Sequence, residues 1–102
     1  MDGTAIKEGL AELSQTVREA EERFDSKKNQ ANDDYEVSRA MIESSDLSQT
    51  AKSTAIRAVR KERDYRITQA ERVLDSEVTS AEHSFREKAR ESYASDDELP
   101  FA

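Results

Sequence analysis

Few side chains in this sequence have the types and spacing that chemistry requires. His83 is the one histidine, set between Glu82 and Ser84, and there is no cysteine to act as nucleophile or thiolate ligand. A general base needs a group that orients it and a substrate within reach, and nothing near His83 in the sequence supplies either. A di-metal carboxylate centre needs a Glu-x-x-His motif turned into a helical bundle, but position 80 is Ser. Asp25 and Glu36 have the first-to-last spacing of a calcium loop, yet Lys27 stands where a ligand belongs and Gln30 where the turn glycine belongs. The expectation is no catalytic residue, no metal and no cofactor.

A second chemistry is suggested by the run Arg57-Ala58-Val59-Arg60-Lys61-Glu62-Arg63-Asp64-Tyr65-Arg66. Arg57, Arg60, Lys61, Arg63 and Arg66 could neutralise a nucleic-acid backbone while Tyr65 stacks on a base. The competing reading makes the same cations a partner strip for an acidic helix. Formal charge favours it: residues 1–46 carry six basic and twelve acidic groups, residues 47–72 seven and three, and the whole chain is −7. An acidic chain is repelled by phosphates, so nucleic acid is not the expected partner.

The elements that would position these groups are helical. Charged residues make up 38% of the 102 positions, against two glycines and one proline, a composition of long helices or coiled coil. Thr4 can cap a first helix, over about 4–44, on which Ile6, Leu10, Leu13, Val17, Ala20 and Phe24 fall in steps of four and three. Lys27 to Asp34 form a polar waist that offers only Ala31 to a core, after which Tyr35, Ser38, Met41 and Ile42 resume the face. With no Gly or Pro to stop it, the helix is expected to run through. Ser44 and Ser45 read as a turn, over about 44–47, and Asp46 with Gln49 as a capping box. A second helix over about 47–93 carries Ile56, Val59, Ile67, Ala70, Leu74, Val78, Ala81, Phe85 and Ala89, with Arg63 at the one seam position that is not apolar. Its steps make an eleven-residue repeat, which favours a nearly straight or slightly right-handed coil.

Folding the pattern about the turn pairs Ile6 with Phe85, Leu10 with Ala81, Leu13 with Val78, Val17 with Leu74, Phe24 with Ile67 and Tyr35 with Ile56. It also brings Arg66 near Asp25. The fold class expected is all-α: an antiparallel two-helix hairpin of the coiled-coil type over 1–94, with a disordered acidic tail over 95–102. Such a seam is thin. Burying a large apolar side chain fully contributes about 1.5–3 kcal/mol, while ordering the backbone costs about 1–2 kcal/mol per residue. Pairing of two hairpins into a dimeric four-helix bundle is therefore expected, with flanking residues such as Ala40, Ala55, Ala58 and Val73 in the second layer. No run approaches the ~20 apolar residues of a membrane span, and no leader opens the sequence. A soluble, cytoplasmic protein is expected.

The tail carries the remaining signal. Asp96-Asp97-Glu98 is followed by Leu99-Pro100-Phe101, and Pro100 bars helix continuation and biases Leu99 to extended backbone. Apolar residues beside acids on a free end suit a docking peptide. This stretch resembles the acidic C-terminal tip of bacterial single-stranded DNA-binding proteins, six residues of the 102. The resemblance implies recruitment of a replication, recombination or repair protein. Phe101 would be the anchor, Leu99 and Pro100 its shape neighbours, and Asp96, Asp97 and Glu98 the electrostatic part. Ala102 after the Phe departs from the family pattern and sets the chain carboxylate one residue further out. Asp96-x-x-Leu99-x-Phe101 is also similar to sliding-clamp-binding peptides, which prefer Gln where Asp96 stands. The function expected is a non-enzymatic adaptor or inhibitor of DNA maintenance, of the size of a phage accessory protein. The competing class is a structural coiled-coil assembly or scaffolding factor whose tail is incidental.

Overall fold

The computed structural model is all-helical, with α1 (Gly3–Glu43) and α2 (Gln49–Phe101) and no strand among the described residues. Residues 3–92 are described with their side chains; the acidic tail expected over 95–102 lies outside the described residues. The chain's two glycines, Gly3 and Gly9, both lie near the start of α1. Over the residues described with their side chains no further glycine or proline occurs, and α1 passes through the Lys27–Asp34 waist without a break. It begins at Gly3, so Thr4 lies inside its first turn and is not the cap.

The turn is closed by serine hydroxyls, with no residue at positive φ among those described. Ser44 donates through Oγ to the Ala40 carbonyl at 2.9 Å, and Ser45 through Oγ to the Ile42 carbonyl at 2.6 Å. Each hydroxyl adds a second donor to a carbonyl that already accepts the same serine's amide, at 3.1 Å for Ser44 on Ala40 and 3.2 Å for Ser45 on Ile42. Lys52 Nζ reaches the Glu43 carbonyl at 2.9 Å, placing a cation at the negative end of α1. Ser48, not Asp46, caps α2: its Oγ accepts from the Ala51 amide at 3.2 Å. The second helix consequently starts at Gln49, two residues later than the capping-box reading has it.

The chain divides into two compact units, unit 1 (Met1–Glu22 with Leu74–Ala102) and unit 2 (Arg23–Val73). In unit 1 the buried positions are Gly9, Ala20 and Ala81, flanked by half-buried Ile6, Leu13, Val17, Leu74, Val78 and Phe85. Leu10, expected in the seam, is 49% exposed and is corrected out of it. Gly9 takes its place because the Phe85 ring lies on the helix backbone there. A Cβ at Gly9 would stand 3.1 Å from Phe85 Cδ2 and 3.2 Å from Cε2, closer than side-chain carbons ordinarily approach. Phe85 thus meets Gly9 instead of Ile6, about one turn further along α1.

In unit 2 the helices run antiparallel, with Asp34 against Arg66 and Glu43 against Lys52. Ala31 is 1% exposed and Tyr35 and Ala70 are each 5% exposed, while Phe24, Ile42, Ile56, Val59 and Ile67 are half-buried. The register differs from the folded-page pairing here too. Arg66 bonds Asp34 at 2.8 Å rather than approaching Asp25, and Tyr35 sits with Arg60 and Arg63 instead of pairing with Ile56. The late start of α2 moves the pairing in this direction. Small residues complete the reason: Gly9, Ala20 and Ala31 follow one another at eleven-residue intervals, as do Ala70 and Ala81. Eleven residues make three turns of 3.67, so these positions stay on one face of a nearly straight helix. Small buried positions, with the Phe85 ring seated on Gly9, rather than interleaved leucines, mark the register.

Candidate interaction surfaces

The basic strip on α2 is divided by the packing of unit 2. Arg63, the polar seam position, lies over the Tyr35 ring at 4.5 Å from its centroid, and its guanidinium donates to Asp64 Oδ1 through Nε at 3.1 Å and Nη2 at 3.0 Å. A guanidinium over an aromatic face gains about 0.5–2 kcal/mol depending on desolvation, which explains how a cation is tolerated on the seam. Arg60 donates through Nη2 to Tyr35 Oη at a long 3.5 Å. Arg66 is held by Asp34. Arg57 and Lys61 remain exposed. Of five cations proposed to touch nucleic acid, three are engaged by α1 or by their own helix. Arg57 and Arg60 instead share a shallow depression with Arg39, Ser53 and Ile56. There the Glu43 carboxylate, bonded to Arg39 Nε at 3.0 Å, raises the Arg39 guanidinium above its ordinary pKa.

The opposite flank of unit 2 has another character. Lys27, Gln30, Asp34, Val37 and Met41 recur at steps of three and four and share one face of α1. Lys27 and Gln30 line a groove of about 240 Å³ with Tyr65, Arg66, Gln69 and Val73 of α2. Asp34 and Arg66 bridge the two helices on this side. Val37 is 61% and Met41 68% exposed, and Tyr65 and Val73 are exposed as well. Ala58 of α2 is exposed and Ala55 half-buried. Unit 1 has its own cleft of about 370 Å³ beside Phe85, with Leu13 and Ala81 in its wall and the Lys88–Glu12 ion pair at its rim.

Candidate catalytic chemistry gains no geometry. The His83 side chain is exposed, with Nε2 3.8 Å from Glu87 Oε1, beyond hydrogen-bond distance, and Arg90 holds the same oxygen at 3.2 Å. Among the described residues no group of three or more His, Cys, Asp or Glu side chains could hold a metal ion, and no helix is long and apolar enough to cross a membrane. Asp96, Asp97, Glu98, Leu99, Pro100 and Phe101 lie outside the residues whose side chains are described.

Sequence reasoning passed over Gly9, and it placed Met41 on the seam. The eleven-residue spacing of Gly9, Ala20 and Ala31 was the available signal for the first, and the steps Lys27-Gln30-Asp34-Val37-Met41 for the second. Compared with known protein families, curated proteins and solved structures, the chain matches none.

Proposed function

We propose that this chain is a non-enzymatic adaptor: an antiparallel helical hairpin of the coiled-coil type that pairs with a second copy into a four-helix bundle and presents residues 96–101 to a protein of DNA replication, recombination or repair. The observation that supports an interaction role is the outer face of unit 2, where Val37, Met41, Tyr65 and Val73 are turned away from the seam. Clustered apolar side chains on a charged protein mark a contact with another macromolecule. The acidic Leu-Pro-Phe stretch, by its resemblance to the single-stranded DNA-binding protein tip, supports the identity of the partner. The same outer face equally favours a structural assembly or scaffolding factor, in which self-association is the function and the tail is incidental.

Titration of the labelled full chain against a purified exonuclease or helicase known to bind such tips separates the two. The adaptor reading expects saturable binding that weakens about tenfold or more with Phe101→Ala and falls with added salt as the acidic contacts are screened. Equal binding by the wild type and Phe101→Ala, or no binding by either, removes the docking role and leaves the assembly reading. A sliding clamp in the same assay tests the other peptide resemblance.

A further inference from the structure

We infer that the second copy packs on the Val37–Met41 face of unit 2 about a two-fold axis running along the helices, so that α1 of each chain lies antiparallel on α2 of the other. The inference rests on the paired bundle proposed above and specifies which face pairs and in what register. Three features carry it.

The first is a shortfall of burial confined to one unit. Unit 2 buries two alanines and Tyr35, yet of the six exposed large apolar side chains among the described residues it holds five: Val37, Met41, Leu47, Tyr65 and Val73. Tyr65 and Val73 line the groove, and Val37 and Met41 continue the face of α1 that Lys27 and Gln30 begin, so covering this face removes from water the apolar area that the isolated unit lacks.

The second is charge. The chain is −7 overall, and two copies repel over most of their surface. On this face charges of both signs are interspersed, Arg23, Lys27 and Arg66 with Asp34 and Glu62. Two such faces can meet with unlike charges opposed.

The third is size and level, which choose the axis. A two-fold along the helices keeps every residue at its own height. Asp34 and Arg66 stand at one level within a chain, 2.8 Å apart, so each also comes level with its opposite in the second copy, and the four charges alternate. Toward the turn the level is set by Tyr35 with Arg60 and Glu43 with Lys52, which bring Val37 and Met41 within about a residue of the heights of Ala58 and Ala55 of the second copy, large against small, which is how facing layers fill space. A two-fold across the helices at the height of Asp34 would set Asp34 on Asp34 and Met41 on Lys27. Charge and shape both reject it.

The absence of cysteine makes the test clean. Full-length Val37→Cys and Ala58→Cys chains, mixed in equal amounts and oxidised mildly, are expected to give a mixed disulfide well above the statistical half share, while Asp34→Cys alone gives little homodimer. Sedimentation of the wild type is run in parallel and is expected to show about twice the 11.6 kDa chain mass. Met41→Asp is expected to raise the dissociation constant about tenfold or more with helicity unchanged. A dimer that cross-links through Asp34→Cys, or that does not form the Val37–Ala58 disulfide, overturns the register and leaves the paired bundle standing. A monomer at micromolar concentration overturns both.

Discussion

Units 1 and 2 are built from the same two helices but direct their apolar side chains differently. In unit 1 the large residues Ile6, Leu13, Val17, Leu74, Val78 and Phe85 are half-buried around small ones, and Leu10 is the one exposed large apolar side chain among the described residues. In unit 2 the seam accommodates an arginine over a tyrosine, and five large apolar residues face outward. Unit 1 turns its described large apolar residues other than Leu10 toward the seam. Unit 2 spends its apolar surface on a face that a second chain can cover, and its polar waist is the counterpart of that choice.

Substitutions can break this contrast, and the largest effect is expected in unit 2. Tyr35→Ala removes a buried ring together with the platform for Arg63 and the acceptor for Arg60, and is expected to cost about 3 kcal/mol in denaturant unfolding. Tyr35→Phe keeps the ring and is expected to cost less than about 1 kcal/mol. In unit 1, Gly9→Leu forces a side chain into the space of the Phe85 ring. The expected loss is about 1–3 kcal/mol, read as a lower midpoint in urea, with exchange at amides around residues 9 and 85 accelerated before those of unit 2. A stable Gly9→Leu protein would show that Phe85 moves aside freely and that its contact with Gly9 does not hold unit 1 together.

The smaller effects sharpen the ends and the flank. Ser48→Ala is expected to cost about 1 kcal/mol, and Asp46→Ala much less, by thermal unfolding. The reverse order would restore the capping box at Asp46. A double-mutant cycle on Asp34 and Arg66 in the dissociated chain is expected to give at most about 1 kcal/mol of coupling, reduced by salt, because both side chains remain substantially exposed. The coupling should grow when the chains associate, since the proposed axis surrounds each charge with its opposite.

Helix type and number were legible in the sequence because heptad-like and eleven-residue periodicities persist over long stretches without breakers. Seam residues on α2 were legible for the same reason, down to Arg63 as the exception. The register was not. Apolarity counted Leu10 as a core residue and gave no weight to Gly9, whereas the buried positions include small residues, Gly9 and Ala81 in one unit and Ala31 and Ala70 in the other. The cap was misread because Asp46 and Ser48 both satisfy the chemistry of a helix start, and only the turn geometry distinguishes them. On the outward face of unit 2, Ala55, Ala58 and Val73 were expected in a second layer, but Val37 and Met41 escaped notice because they are ordinary apolar residues whose meaning depends on which way α1 is rotated. The acidic tail was the clearest functional signal in the sequence and lies outside the described residues.

Amide hydrogen exchange of the full chain, followed residue by residue at low and high micromolar concentration, compares the two units most directly. The expected result is protection that rises with concentration for residues 27–41 and 55–73, while residues 9–20 and 77–88 exchange at the same rate throughout. Protection independent of concentration in both units would contradict the assignment of unit 2 as the association surface.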